Sequence, residues 1–125
     1  MFELVAENLH FSEGPRWHQN KLWFSDFYQH AVFSIDEQGI LEKVVDIPNQ
    51  PSGLGWMPDG SMLIVSMLDR KVMKFKEGQL SVHADLSQLT AFRCNDMVVD
   101  EIGNAYVGNF GSLYHAKNIL SLIHI

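Results

Sequence analysis

The chain has 125 residues, 46% of them hydrophobic, and carries 15 acidic against 9 basic side chains for a formal net charge of −6. That is enough for one small domain or part of a larger one, and an acidic balance without a basic cluster excludes the electrostatic footprint of a nucleic-acid or anionic-membrane binder. The single cysteine, Cys94, excludes an internal disulfide and any CxxC metal or redox site, in keeping with a reducing, cytoplasmic setting.

Residues 1–10, MFELVAENLH, alternate apolar and polar side chains and include two acids. A signal peptide has the opposite character, a basic start and a continuous apolar core, so a strand is expected here, with residues 2–7 closing the last blade of a larger assembly. No window approaches the roughly eighteen uninterrupted apolar residues of a membrane span. The next stretch, FSEGPRW (11–17), places Glu13 before Gly14-Pro15, a pair that holds the chain extended and brings its backbone close to a neighbour. An acid there is either a turn former at a strand start or a group aimed at a site.

An internal repeat decides the fold. EGPRWHQNKLWFSDF from Glu13, SGLGWMPDGSMLIVSM from Ser52 and NDMVVDEIGNAYVGNF from Asn95 align: each runs through a short apolar strand to Trp17, Trp56 or Val99, turns on polar or glycine residues, and enters a second strand. The steps are 39 positions from Trp17 to Trp56 and 43 from Trp56 to Val99, the spacing of four-stranded propeller blades. HAVFSID and ILEKVVD complete the first unit, and KVMKF and QLSVHAD the second. Four β-rich runs per forty or so residues joined by glycine-containing turns make a meander. Residues 86–92, LSQLTAF, are expected to form a helical turn leading into the third unit.

The expected fold is therefore all-β, the N-terminal two and a half blades of a propeller. Closure needs four to eight blades, so residues 1–119 are expected to be part of a longer protein. The final LSLIHI, residues 120–125, breaks the turn and strand rhythm and matches one translated frame of a common sequencing-library adaptor, and is expected to be a non-native tail, with a short natural strand as the alternative.

Because the first strand of each blade lines the central channel, Glu13, Ser52 and Asn95, which open equivalent strands, should ring one of its mouths. Gly14, Gly53 and Gly55 let the converging backbones approach there. Ring geometry gathers oxygen ligands from distant sequence positions, which lifts Glu13 above a turn former.

With SEGPRW and LWFSD, then PSGLGWMPDGSMLIVS and RKV, then RCNDMVVDEIGNAYVGNFG, the chain resembles the senescence-marker-protein, gluconolactonase and luciferin-regenerating-enzyme family of six-bladed propellers over residues 2–111. The resemblance implies that Glu13 ligates a divalent cation at the channel mouth, calcium foremost, with zinc, manganese and magnesium compatible. It also implies that Arg93 and Asn95 of the R-x-N-D motif bind substrate, a small lactone or ester. These residue types suit the chemistry. A hard cation wants oxygen donors, a metal polarises a carbonyl and activates water, and a guanidinium and an amide grip an oxygen-rich substrate. The family's remaining ligands and its general base have no counterpart here, so this chain by itself is expected to be inactive.

Other candidates read as structural. Cys94 has no activating neighbour and suits a small buried apolar site. The histidines show no HxxxH or HExxH spacing, and no serine sits in a G-x-S-x-G elbow. Asp26, Asp59 and Asp100 suit turns. Asp96 either shapes the site through backbone hydrogen bonds or touches substrate. Trp17 and Trp56 are expected to pack between blades. Two function classes stand: a metal-dependent hydrolase of sugar lactones or related esters, and a non-catalytic propeller binding a ligand or protein at its mouth. A distant strictosidine-synthase-like protein would lack the ligand acid, so Glu13 counts against it. No obligate protein partner is indicated.

Overall fold

A computed structural model of the chain describes residues 1–110 and 122–125. Its strands fall where the repeats put them. β1 (Ser12–His18), β2 (Lys21–Asp26), β3 (Ala31–Asp36) and β4 (Leu41–Asp46) pair antiparallel in chain order as one sheet. β5 (Pro51–Trp56), β6 (Met62–Ser66), β7 (Lys71–Lys76) and β8 (Gln79–Asp85) form the second. β9 (Cys94–Val99) and β10 (Ala105–Asn109) begin the third, with β11 (Leu122–His124) on the outer edge of β10. The hairpin turns at Gln19-Asn20 and Glu77-Gly78 have positive φ at both positions, the geometry whose twist matches that of the flanking strands.

The sheets stack face to face, and β6 shows why its sequence reads as one apolar run. Met62 to Ser66 are all buried, because both faces of this strand are covered. Met62 and Ile64 pack with Val32, Ile47 and Leu54 against the first sheet. Leu63 and Val65 pack with Cys94, Met97, Ala105 and Val107 against the third. Each fully buried Leu or Ile contributes about 1.5–3 kcal/mol, so this strand joins all three units. Cys94 is the small buried apolar residue expected, and burial raises its thiol pKa.

The connection at residues 86–92 makes one helical turn, with the amides of Leu89 and Thr90 both donating to the Leu86 carbonyl. Among the described residues no helix is long and apolar enough to cross a membrane.

Residues 1–11 form no strand in this chain. A strand needs a ladder partner, and here the segment lays Ala6 and Leu9 over the open face of the first sheet, against Phe24, Ala31, Phe33 and Ile35. At the other end, Leu122–His124 pairs with Tyr106 to Gly108 on the outer edge of β10. Residues 120 and 121 lie outside the described residues.

Candidate functional site

β1, β5 and β9 are the first strands of the three sheets, and each departs from regular pairing within one residue of the same repeat position. The register against the second strand slips between Glu13 and Arg16, between Pro51 and Leu54, and between Cys94 and Met97. A bulge re-aims the side chains beside it. Ser52 and Asn95 lie within their slips, and Glu13, still paired with Ser25, flanks its own. Just before them, one backbone bond recurs in every unit: Phe27 N–H to Phe11 carbonyl, Met67 to Gln50, and Phe110 to Arg93, at 3.2, 2.9 and 3.1 Å. It fixes where each bulged strand begins.

Close approach of these strands depends on missing side chains. Gly53 lies directly against the β9 backbone, where a methyl group would collide with the Met97 amide and with Asp96. Gly55 lies as close to the Val99 side chain. Gly14 has φ of +62° and faces the Ser52 carbonyl, 3.1 Å from where its Cβ would lie. That carbonyl also accepts a 2.6 Å hydrogen bond from the buried Ser25 hydroxyl.

The result is a contact among three units. The Ser52 hydroxyl donates to Glu13 Oε1 at 2.7 Å and lies 3.3 Å from Asn95 Oδ1. Ser52 is 1% exposed, while Glu13 and Asn95 are half-buried. Burial raises the Glu13 carboxyl pKa, the Ser52 hydrogen bond opposes the shift, and the Asp96 charge adds to it. The repeat position thus brings Glu13, Ser52 and Asn95 together. Arg93 is not drawn into that contact: it stands exposed just before β9, and its guanidinium makes no hydrogen bond or ion pair with the described residues.

A second cross-unit link was not expected. Arg16 of β1 donates through Nη2 to Asp96 Oδ1 at 2.7 Å and to the Met97 carbonyl at 2.8 Å. Asp96 also accepts from its neighbour's amide, Met97 N–H, at 2.8 Å, the backbone-shaping contact expected of it. The signal for Arg16 was in the alignment. It stands where the other repeats have Gly55 and Val98, and a guanidinium replacing a glycine or an apolar residue asks for a partner.

The remaining acids behave as turn formers. Asp26 is fully buried and accepts from the amides of His10, Phe11, Tyr28 and Gln29 and from the Gln29 side chain. Burial alone would raise its carboxyl pKa, but these donors hold it below the ordinary value. Asp59 and Asp100 bind the amides of Ser61 and of Ile102 and Asn104. Trp56 packs between sheets as expected, stacked on His18 with ring centroids 4.0 Å apart and edge-on to Trp23. Trp17 remains 64% exposed.

No group of three or more His, Cys, Asp or Glu side chains with metal-site geometry occurs among the described residues. The donor set at the rim is instead a carboxylate, a hydroxyl and an amide oxygen, all hard donors. That composition fits a calcium- or magnesium-class cation, for which this chain provides a minority of the usual six to eight oxygens.

A family model described as the SMP-30/Gluconolactonase/LRE-like region matches residues 11–120. No curated protein matches the chain. Among solved structures, a gluconolactonase from Xanthomonas campestris superposes with a TM-score of 0.79 at 18% identity, over 97% of this chain and 46% of its own. Regucalcin from Agrobacterium tumefaciens, described as a calcium-binding protein, gives 0.73 at 22% identity, over 94% and 40%. A virginiamycin B lyase from Staphylococcus aureus gives 0.60 at 18% identity, over 97% and 43%. At these identities the likeness shows the fold, and the chain spans less than half the length of the structures it matches.

Proposed function

The chain belongs to the SMP-30/Gluconolactonase/LRE-like family, and on that premise we propose that it forms the metal-binding rim of a hydrolase that opens sugar lactones or related small esters. The observation that carries this reading is the convergence of Glu13, Ser52 and Asn95 from three blades through one hydroxyl. A scaffold strand has no need to place a half-buried carboxylate and an amide against each other at the channel mouth.

Glu13 is the cation ligand this chain provides, with calcium the best match to all-oxygen donors. When bound, such a cation polarises the ester carbonyl and makes water a nucleophile near neutral pH. The protein's own groups hold the substrate. Asn95 presents an amide that both donates to and accepts from hydroxyl and carbonyl oxygens. Arg93, exposed at the entrance of β9 and unengaged by the described residues, is free to clamp an oxygen-rich substrate through charged hydrogen bonds. Arg16 and Asp96 hold β9 in place beside them.

On this reading the general base and the other cation ligands come from further blades, so the activity is that of a longer protein and residues 1–125 alone are expected to be inactive. The second reading is a propeller that binds calcium without catalysis, which the calcium binding ascribed to the Agrobacterium neighbour supports. Lactone hydrolysis by the complete protein, measured before chelation, after it and after calcium is restored, separates the two. Loss and recovery of hydrolysis support the enzyme. Calcium binding without turnover of any sugar lactone supports the binder, and hydrolysis indifferent to chelation rejects the metal mechanism.

A further inference from the structure

Resting on Glu13 as a cation ligand and Asn95 as a substrate contact, we propose that Ser52 is the positioning residue that orients both, so that one hydroxyl couples the metal side of the rim to its substrate side. The Ser52 backbone has little freedom. Its carbonyl is held by the Ser25 hydroxyl at 2.6 Å, and the next residue, Gly53, is pressed against the β9 backbone. Only the hydroxyl rotor is left to be set, and the two groups within its reach set it.

A hydroxyl carries one proton. At 2.7 Å from Glu13 Oε1, that proton goes to the carboxylate and fixes which of its oxygens stays available to a cation. Asn95 Oδ1, 3.3 Å from the same hydroxyl, is its second and longer acceptor and takes the weaker share of that proton. An amide oxygen held toward a hydroxyl leaves its NH2 group outside that contact. Ser52 thus orders Glu13 directly and gives the Asn95 amide one orientation. Its burial keeps water from replacing it.

Outer partners of metal ligands typically contribute 10–100-fold to affinity or activity. In the complete protein, Ser52→Ala is expected to weaken calcium binding by about 10–100-fold in calorimetry and to raise the KM for a sugar lactone as well, since both ends of the rim lose their orientation. Ser61→Ala is the structural control: it removes a buried hydroxyl's bond to Asp59 in the β5–β6 turn, apart from the rim, lowers the melting temperature, and leaves calcium affinity as in the wild type. If Ser52→Ala does not fold, Ser52→Cys fills similar space with a weak donor and is expected to give the same two losses. Wild-type calcium affinity and KM in a folded Ser52 variant overturn the proposal, as does a loss confined to stability. Glu13→Gln runs alongside: wild-type calcium affinity in that variant rejects the cation reading beneath the proposal, whereas loss in Glu13→Gln with none in Ser52→Ala rejects only the role of Ser52.

Discussion

Asp26 and Glu13 are both partly or wholly buried carboxylates on the first sheet, and their surroundings give them opposite roles. Asp26 is saturated with N–H donors, from the β2–β3 turn and from the chain preceding β1, so it serves as an anchor. Below its ordinary value of 3.8, it binds fewer protons folded than unfolded. Its stabilisation is therefore present above that value and lost as pH falls through the lower folded one. Asp26→Asn is expected to cost about 1.5–3 kcal/mol, the range for hydrogen bonds to a charged group, and to flatten the acid limb of stability. Urea melts at several pH values check both. Glu13 accepts from one side-chain donor, the Ser52 hydroxyl, which leaves its other oxygen for a ligand. The sequence supported the turn role of Asp26 because an acid at a strand end beside a polar turn is a local pattern. It did not reveal Arg16 paired with Asp96, or Ser52 as the group between Glu13 and Asn95, because those contacts join residues 80, 39 and 43 positions apart and depend on how the blades stack.

At the scale of the strands, turn and strand alternation placed nearly every element of residues 12–109, since a meander is built from neighbours in sequence. The bulges were not legible. Nothing in FSEGPRW or QPSGLGW alone says that the inner strand slips against its neighbour, although glycine at or next to the slip in the first two repeats, Gly14 and Gly53, marked where backbone had to come close. Gly53 is the most exacting of these. Gly53→Ala would drive a methyl group into the β9 backbone, and backbone yields less readily than a side-chain tip. A cost of about 1–3 kcal/mol or more is expected, with β9 displaced. Amide exchange of Met97 and Val98 reports it, and wild-type protection there contradicts the close-approach account. The N-terminal segment is unpaired in this chain: alternation marks an amphipathic strand candidate, but pairing requires an edge to pair with.

Across the whole molecule, the repeats make one surface predictable. Trp56 is covered by His18 and Trp23 of the preceding blade, and Trp17 holds the equivalent place in the first blade yet is 64% exposed. By the same stacking rule, a preceding blade would cover it. Residues 1–125 alone are therefore expected to show readily quenched tryptophan fluorescence and concentration-dependent association, since exposed blade edges and apolar faces pair with whatever they meet. In the complete protein, quenching of Trp17 should fall. A sharp, monomeric unfolding transition of the isolated chain contradicts this. The central claim is that Glu13 holds a divalent cation at the channel rim, and locating that cation tests it most directly. In crystals of the complete protein soaked with manganese, the account predicts an anomalous peak at roughly 2.0–2.6 Å from a Glu13 carboxylate oxygen, the span of hard-cation to oxygen distances. A cation bound elsewhere, with none at Glu13, contradicts it.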